Sequence, residues 1–239
     1  MADVLLVHAW PLDGSMWDDQ VRALGDQHRV LAPSFPGFGG TEGRDELTMA
    51  SMADFLVDQL DREGVQKAIV CGLSIGGYVT FEMWRRHPQR IAGLVLADTR
   101  AEADDEAGRQ RRDGVAAKVR ADGAQALVDA PPALLTEGSE HWDRVKGIIG
   151  RQDAEAIAQA ALAMRDRPDS TGTLSSIDVP TTVVVGSEDA LTPPAMSETI
   201  ASGVPNSELV VLDGAGHLSN LEAPEGFLAA LRNLIERVG

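Results

Sequence analysis

Ser74, Asp189 and His217 stand in that order along the chain, and together they suit nucleophilic acyl transfer. A serine hydroxyl is a weak nucleophile until a base takes its proton, and the base works best when a third group orients it. Ser74 lies in the stretch Gly72-Leu73-Ser74-Ile75-Gly76, between an apolar run (67–72) and a helix-like run that Pro88 ends. Where a strand turns sharply into a helix, the positions two before and two after the apex are crowded. Glycine at both removes the side chains that would clash. The apex also sits at a helix N-terminus, whose partial positive charge favours a developing oxyanion. Three fixed residues in five are weak evidence alone, and the other reading is an ordinary serine in a glycine-rich connection. The strand before and the helix after favour the nucleophile.

Five histidines compete for the role of base. His28 and His87 lie in polar, surface-like contexts, His8 ends the first apolar run, and His141 falls in a helical region. His217 lies in a glycine-flanked loop just past the last strand-like run. Catalytic loops gather at the carboxyl ends of parallel strands, so His217 is preferred. Asp189 follows the penultimate strand-like run in the same way. Glu188 and Asp98 are competing carboxylates; Asp189 is favoured, in the order Ser…Asp…His expected on such a fold.

The elements that must position these residues are legible as six apolar runs at 3–7, 29–33, 67–72, 91–97, 181–186 and 208–213. They are nearly continuously apolar rather than alternating, as parallel strands covered on both faces are. Helical patterns separate them. One carries Met52, Phe55, Leu56 and Leu60 on a single face, with Thr48 as N-cap and Gly64 as stop. Another closes the chain from Pro224. The expected fold is α/β: a mostly parallel sheet with helices on both faces. Between residues 101 and 176 no strand is evident, only polar helical pieces. That stretch is expected to form a helical cap (101–176) over a core made of 1–100 and 177–239, rather than surface helices without a role.

Composition narrows the function classes. A net charge of −16 argues against nucleic acid and anionic membranes as partners. Cys71, the only cysteine, reads as a buried strand thiol, so no disulfide framework or thiolate metal cluster is expected. No spaced carboxylate or His-Glu-x-x-His motif implies a metal, and no cofactor is expected. Neither a signal peptide nor a membrane-spanning segment is evident, which predicts a cytoplasmic protein.

The segments HAWPLDGSMW (8–17), FPGFGGT (35–41), GLSIGG (72–77), GSEDALTPP (186–194) and GAGHLSNLEAPEGF (214–227) together resemble the α/β-hydrolase superfamily over essentially the whole chain. The last two, with MRDRPDST in the cap, resemble small bacterial esterases and enol-lactonase-like hydrolases. The resemblance implies an oxyanion hole of two backbone N–H groups, from Ile75 and Trp10. The chain departs from the family's His-Gly pair by having His8-Ala9, and alanine does not tolerate positive φ. It also lacks the family's usual N-terminal hairpin, which leaves the strand at 29–33 as an edge. A homodimer through that edge, or a loop covering it, is the corresponding expectation.

The reading is a serine hydrolase acting on a small carboxylic ester or lactone through an acyl-enzyme. Trp142, Leu191 and Leu218 are expected to line the substrate pocket. Phe35 and Phe38 should fill the space beneath the site, and Trp84 reads as packing. The same residues could serve an enol-lactonase, a C–C bond hydrolase, a peracid-forming side reaction or a small-molecule receptor that turns over slowly. A dicarboxylate-type substrate would need a cation in the pocket, for which Arg100, Arg109, Arg111 and Arg112 are candidates. Serine rather than aspartate at the elbow disfavours dehalogenation.

Overall fold

A computed structural model of the chain describes residues 1–44 and 46–239. Among the described residues the six apolar runs form six strands. These are β1 (Asp3–Val7), β2 (Arg29–Leu31), β3 (Ala68–Leu73), β4 (Ile91–Ala97), β5 (Thr181–Gly186) and β6 (Ser207–Leu212). They build one sheet in the order β2-β1-β3-β4-β5-β6, every neighbouring pair parallel. Every residue of β3 and β5 is buried, as expected of strands covered on both faces. β2 stops at Leu31, two residues short of the expected end. It is the edge strand, and Pro33 beyond it has no N–H to extend a ladder.

Right-handed crossovers assign the helices to faces. The step from β1 to β2 through α1 (Asp18–Leu24) runs one way along the sheet. The steps through α2 (Met49–Arg62), α3 (Ile75–Arg86) and, after the insertion described below, the helix Pro194–Gly203 run the other way, onto the opposite face. The C-terminal helix Pro224–Val238 packs back on α1 and on the middle strands, so both faces are covered. Thr48 caps α2 as expected: its hydroxyl accepts the Ser51 N–H (3.0 Å) and the Ser51 hydroxyl accepts the Thr48 N–H (2.9 Å). Gly64, at φ +68°, follows the helix end.

Between β4 and β5 the chain forms α4 (Glu106–Asp122), α5 (Gln125–Asp129), α6 (Trp142–Gly150) and α7 (Ala154–Arg165). Asp105 caps α4 and Asp153 caps α7. The buried face of α7 is mostly alanine, which lets α4 approach closely. Many hydrogen bonds tie this insertion to the core, among them Trp10 Nε1 to Ile157 O (3.0 Å), Gly39 N to Gln152 Oε1 (2.8 Å), Leu218 N to Leu134 O (2.9 Å) and Thr136 Oγ1 to Glu222 Oε1 (2.6 Å). Gln152 Nε2 and the Arg151 guanidinium both donate to the Asp13 carboxylate (2.7 Å and 3.0 Å). The remaining helices are α8 (Pro194–Gly203), α9 (Ser219–Glu222) and α10 (Pro224–Val238). No described helix is long and apolar enough to cross a membrane.

Candidate active site

Ser74 is the corner between β3 and α3, held at φ 58° and ψ −117°. That conformation is strained for a residue with a side chain. The corner is pinned by hydrogen bonds from Ser74 N to Ala97 O (3.0 Å) and from Thr99 Oγ1 to Ser74 O (2.9 Å). The flanking glycines have steric reasons. A Cβ on Gly72 would lie 2.3 Å from Gly76 O, and one on Gly76 would lie 2.3 Å from Val7 O. Ile75 opens α3, where the first N–H groups of a helix have no intrahelical acceptor.

Asp189 and His217 arrive from the loops after β5 and β6. His217 Nδ1 lies 2.8 Å from Asp189 Oδ2, with both side chains essentially buried. The other contacts of the carboxylate are the Leu191 N–H (2.8 Å), the Thr192 N–H (2.9 Å) and the Thr192 hydroxyl (2.6 Å). Burial pushes the Asp189 pKa up, but the His217 contact and the Thr192 donors outweigh it and hold the carboxyl below its ordinary range. A carboxylate at this distance accepts a hydrogen bond from Nδ1–H, which leaves Nε2 as the basic nitrogen. Thr192 was not anticipated, although an Asx-type turn in Asp-Ala-Leu-Thr was a readable signal for it.

Ser74 and His217 open onto one cavity of about 470 Å³. Trp10 and Tyr78 line it from the core, and Val115, Leu127, Leu134 and Met164 line it from the insertion. Tyr78 was also missed; it sits one helical turn after Ser74, on the same face. Leu191 is at the cavity wall and half-exposed. Leu218 and Trp142 are not at the wall. Leu218 is wholly buried with its N–H on Leu134, and Trp142 opens α6 with its indole N–H on Thr136 O (3.2 Å). Both side chains are taken up by local packing instead. A second cavity of about 480 Å³, between the start of α2 and α7, contains neither Ser74 nor His217.

The turn after β1 brings the Trp10 backbone to the same end of the sheet. Ala9 is not at positive φ, since among the described residues only Ser74 and Asp98 are non-glycines there, so alanine fits where the family has glycine. His8 is a brace: its Nε2 accepts the Phe35 N–H (3.0 Å) and its Nδ1 donates to Ala9 O (2.9 Å). Burial lowers its pKa to about 4, which keeps the ring neutral, and Phe35 and Phe38 pack against it. His87 pairs with Asp54 at 2.7 Å and His28 accepts the Ala2 N–H, so neither is near Ser74. Asp98 ends β4 and turns inward, accepting the Gly186 N–H (2.9 Å) and the Ser219 hydroxyl. Cys71 is buried in β3, and burial raises its thiol pKa. Among the described residues no group of three or more His, Cys, Asp or Glu is placed to hold a metal ion.

An all-parallel sheet with a strained serine corner and a histidine–aspartate pair at its carboxyl end defines a class. The chain belongs to the alpha/beta hydrolase fold family, whose model matches residues 4–224. It is similar to a thermophilic esterase from Thermogutta terrifontis, solved with malate bound: identity is 38%, TM-score 0.96, with 100% of this chain and 90% of that one covered. It is 30% identical to a pimeloyl-[acyl-carrier protein] methyl ester esterase of Neisseria meningitidis, over 98% of this chain and 94% of that protein. The enol-lactonase of Burkholderia xenovorans LB400 matches with 26% identity and a TM-score of 0.91, covering 98% of this chain and 91% of that one. The chain is a hydrolase of this esterase and enol-lactonase type.

Proposed function

We propose that the chain is a serine hydrolase that cleaves a small carboxylic ester or lactone through an acyl-enzyme, with Ser74, His217 and Asp189 as its catalytic residues. The observation that carries this reading is the buried Asp189–His217 hydrogen bond at 2.8 Å beside a cavity that Ser74 also lines. His217 Nε2 takes the proton from Ser74 Oγ as the oxygen attacks the carbonyl carbon. The N–H groups of Ile75 and Trp10 receive the oxyanion, and Asp189 stabilises the imidazolium. Collapse expels the alkoxide, which takes the proton from His217. Water, deprotonated by the same histidine, then attacks the acyl carbonyl, and Ser74 recovers its proton as the acid departs.

The helices between β4 and β5 act in this reading as a cap that walls the acyl-binding space. Its hydrogen bonds to Trp10, Gly39, Asp13 and Leu218 support a fixed cover, which suits turnover better than a receptor that closes on its ligand. The test is hydrolysis of a p-nitrophenyl ester series of increasing acyl length by wild type and Ser74→Ala. Turnover that Ser74→Ala abolishes is expected. Equal turnover by a folded Ser74→Ala protein would end the proposal.

A further inference from the structure

The cavity wall facing α4 is cationic in a chain whose net charge is −16. Arg100, Arg111 and Arg112 line it, and the one carboxylate among the lining residues is that of Asp104. The Asp104 side chain is 1% exposed and its oxygens are already shared. Oδ1 accepts from Arg100 and from Arg167 Nη2 (3.1 Å), and Oδ2 accepts from Arg112 Nε (3.2 Å). Burial pushes the Asp104 pKa up, but Arg167, Arg112 and Arg100 together hold it below its ordinary range. Three guanidinium groups therefore divide one full negative charge, and Arg111 adds a fourth cation. Arg167 is itself buried, lies 4.3 Å from the Tyr78 ring centroid, and keeps an Nε with no acceptor.

Other carboxylates of the same segment do not balance this. Asp105 is used to cap α4, accepting the Gly108 N–H (2.7 Å), and neither it nor Glu102 contributes to the cavity wall. Arg109, one residue pair away, is turned to Asp166 (3.8 Å) and is also absent from the wall. The excess thus falls on the cavity wall, with Arg111 at its exposed rim. Low-dielectric walls focus such a field on a ligand inside, whereas the acidic remainder acts only across a screened distance of about 8–10 Å. Between the arginines and Ser74 the wall is largely apolar, with Val115, Leu127, Leu134 and Met164.

We infer that Arg111, beside Arg112 and Arg100 that are held on Asp104, forms with them an anion subsite, and that the substrate carries a carboxylate separated by an apolar spacer from the scissile carbonyl. This rests on the ester-hydrolase reading of Ser74 and names its substrate class. The carboxylate has two possible sources, the acyl part or the alcohol part, and both would meet the same guanidinium chemistry.

The experiment measures kcat/KM for two matched pairs. Monomethyl adipate beside methyl hexanoate places the charge on the acyl part. The acetyl ester of a terminal hydroxy acid beside hexyl acetate places it on the alcohol part. In at least one pair the charged ester is expected to be preferred by about tenfold, and the preference should shrink at high ionic strength. Arg111→Ala should cut the charged-to-neutral ratio by about three- to tenfold, Arg111→Lys should restore part of it, and Arg109→Ala should leave the ratio as in wild type. Turnover of neutral esters with no preference in either pair would overturn the subsite while the hydrolase reading stands. No turnover of any ester, p-nitrophenyl acetate included, would remove both.

Discussion

Asp98 and Asp189 end neighbouring strands of the same sheet, both buried, yet the two corners hold opposite electrostatic states. Asp189 gathers two backbone N–H groups, a hydroxyl and the His217 ring, and its pKa lies below the ordinary range despite burial. Asp98 has the Gly186 and Ser219 N–H groups and the Ser219 hydroxyl, but burial together with the nearby Asp189 charge pushes its pKa well above 3.8. The lesson is that a buried carboxylate at a strand end stays charged where an imidazole faces it, as His217 does at Asp189, whereas Asp98 faces the like charge of Asp189 itself. Asp98 instead ties loops together: Gly186 lies just ahead of the Asp189 loop and Ser219 just behind His217. Thr99, its neighbour, holds the Ser74 carbonyl.

Amide substitution at each corner separates the two roles. Asp189→Asn should lower kcat on a p-nitrophenyl ester by about ten-thousandfold, because the wrong imidazole tautomer is then favoured. Retained activity in the folded variant would return the orienting role to another carboxylate, with Asp98 first in line.

The serine corner comes next in size. Gly76→Ala would place a Cβ 2.3 Å from Val7 O, and backbone cannot yield as a flexible side chain does. A stability loss of roughly 1–3 kcal/mol is expected in chemical denaturation, with activity falling as the β1 turn and its Trp10 N–H are displaced. An unchanged midpoint would mean that the corner is looser than its geometry implies.

The smallest effect concerns Asp98. Its folded-state pKa is raised, so its contribution to stability is full below about 3.8 and is lost as pH rises through the folded value. Asp189 has the opposite sign: its contribution is lost as pH falls through its lowered folded value. Asp98→Asn preserves an acceptor for the Gly186 N–H, and in it, as in the protonated acid, the Ser219 hydroxyl rotates to accept instead of donating as it does to the carboxylate. The variant should therefore lose less stability than wild type in thermal melts as pH rises above 3.8, while kcat changes by no more than about threefold. A pH dependence identical to that of wild type would contradict a protonated Asp98.

Much of this architecture could be read from residues alone, for physical reasons. Continuous apolar runs marked doubly covered strands, and Gly72 and Gly76 marked the crowding at Ser74. The β2 end was misjudged because an apolar run does not show where a ladder loses its partner. Pocket residues were the weakest reading. Trp142 and Leu218 are apolar and close in sequence to the right places, but local hydrogen bonds turn both into packing. Conversely, the arginines of α4 could not be sorted from sequence. Arg109 and Arg111 differ by two positions on a helix, which is enough to send one to Asp166 and the other to the cavity.

The central claim, that Ser74 is an activated nucleophile, is tested most directly by covalent labelling with a fluorophosphonate followed by intact-mass measurement. Wild type should gain one adduct per chain and folded Ser74→Ala none. Folded wild type that stays unlabelled, or a Ser74→Ala protein labelled equally, would contradict the account.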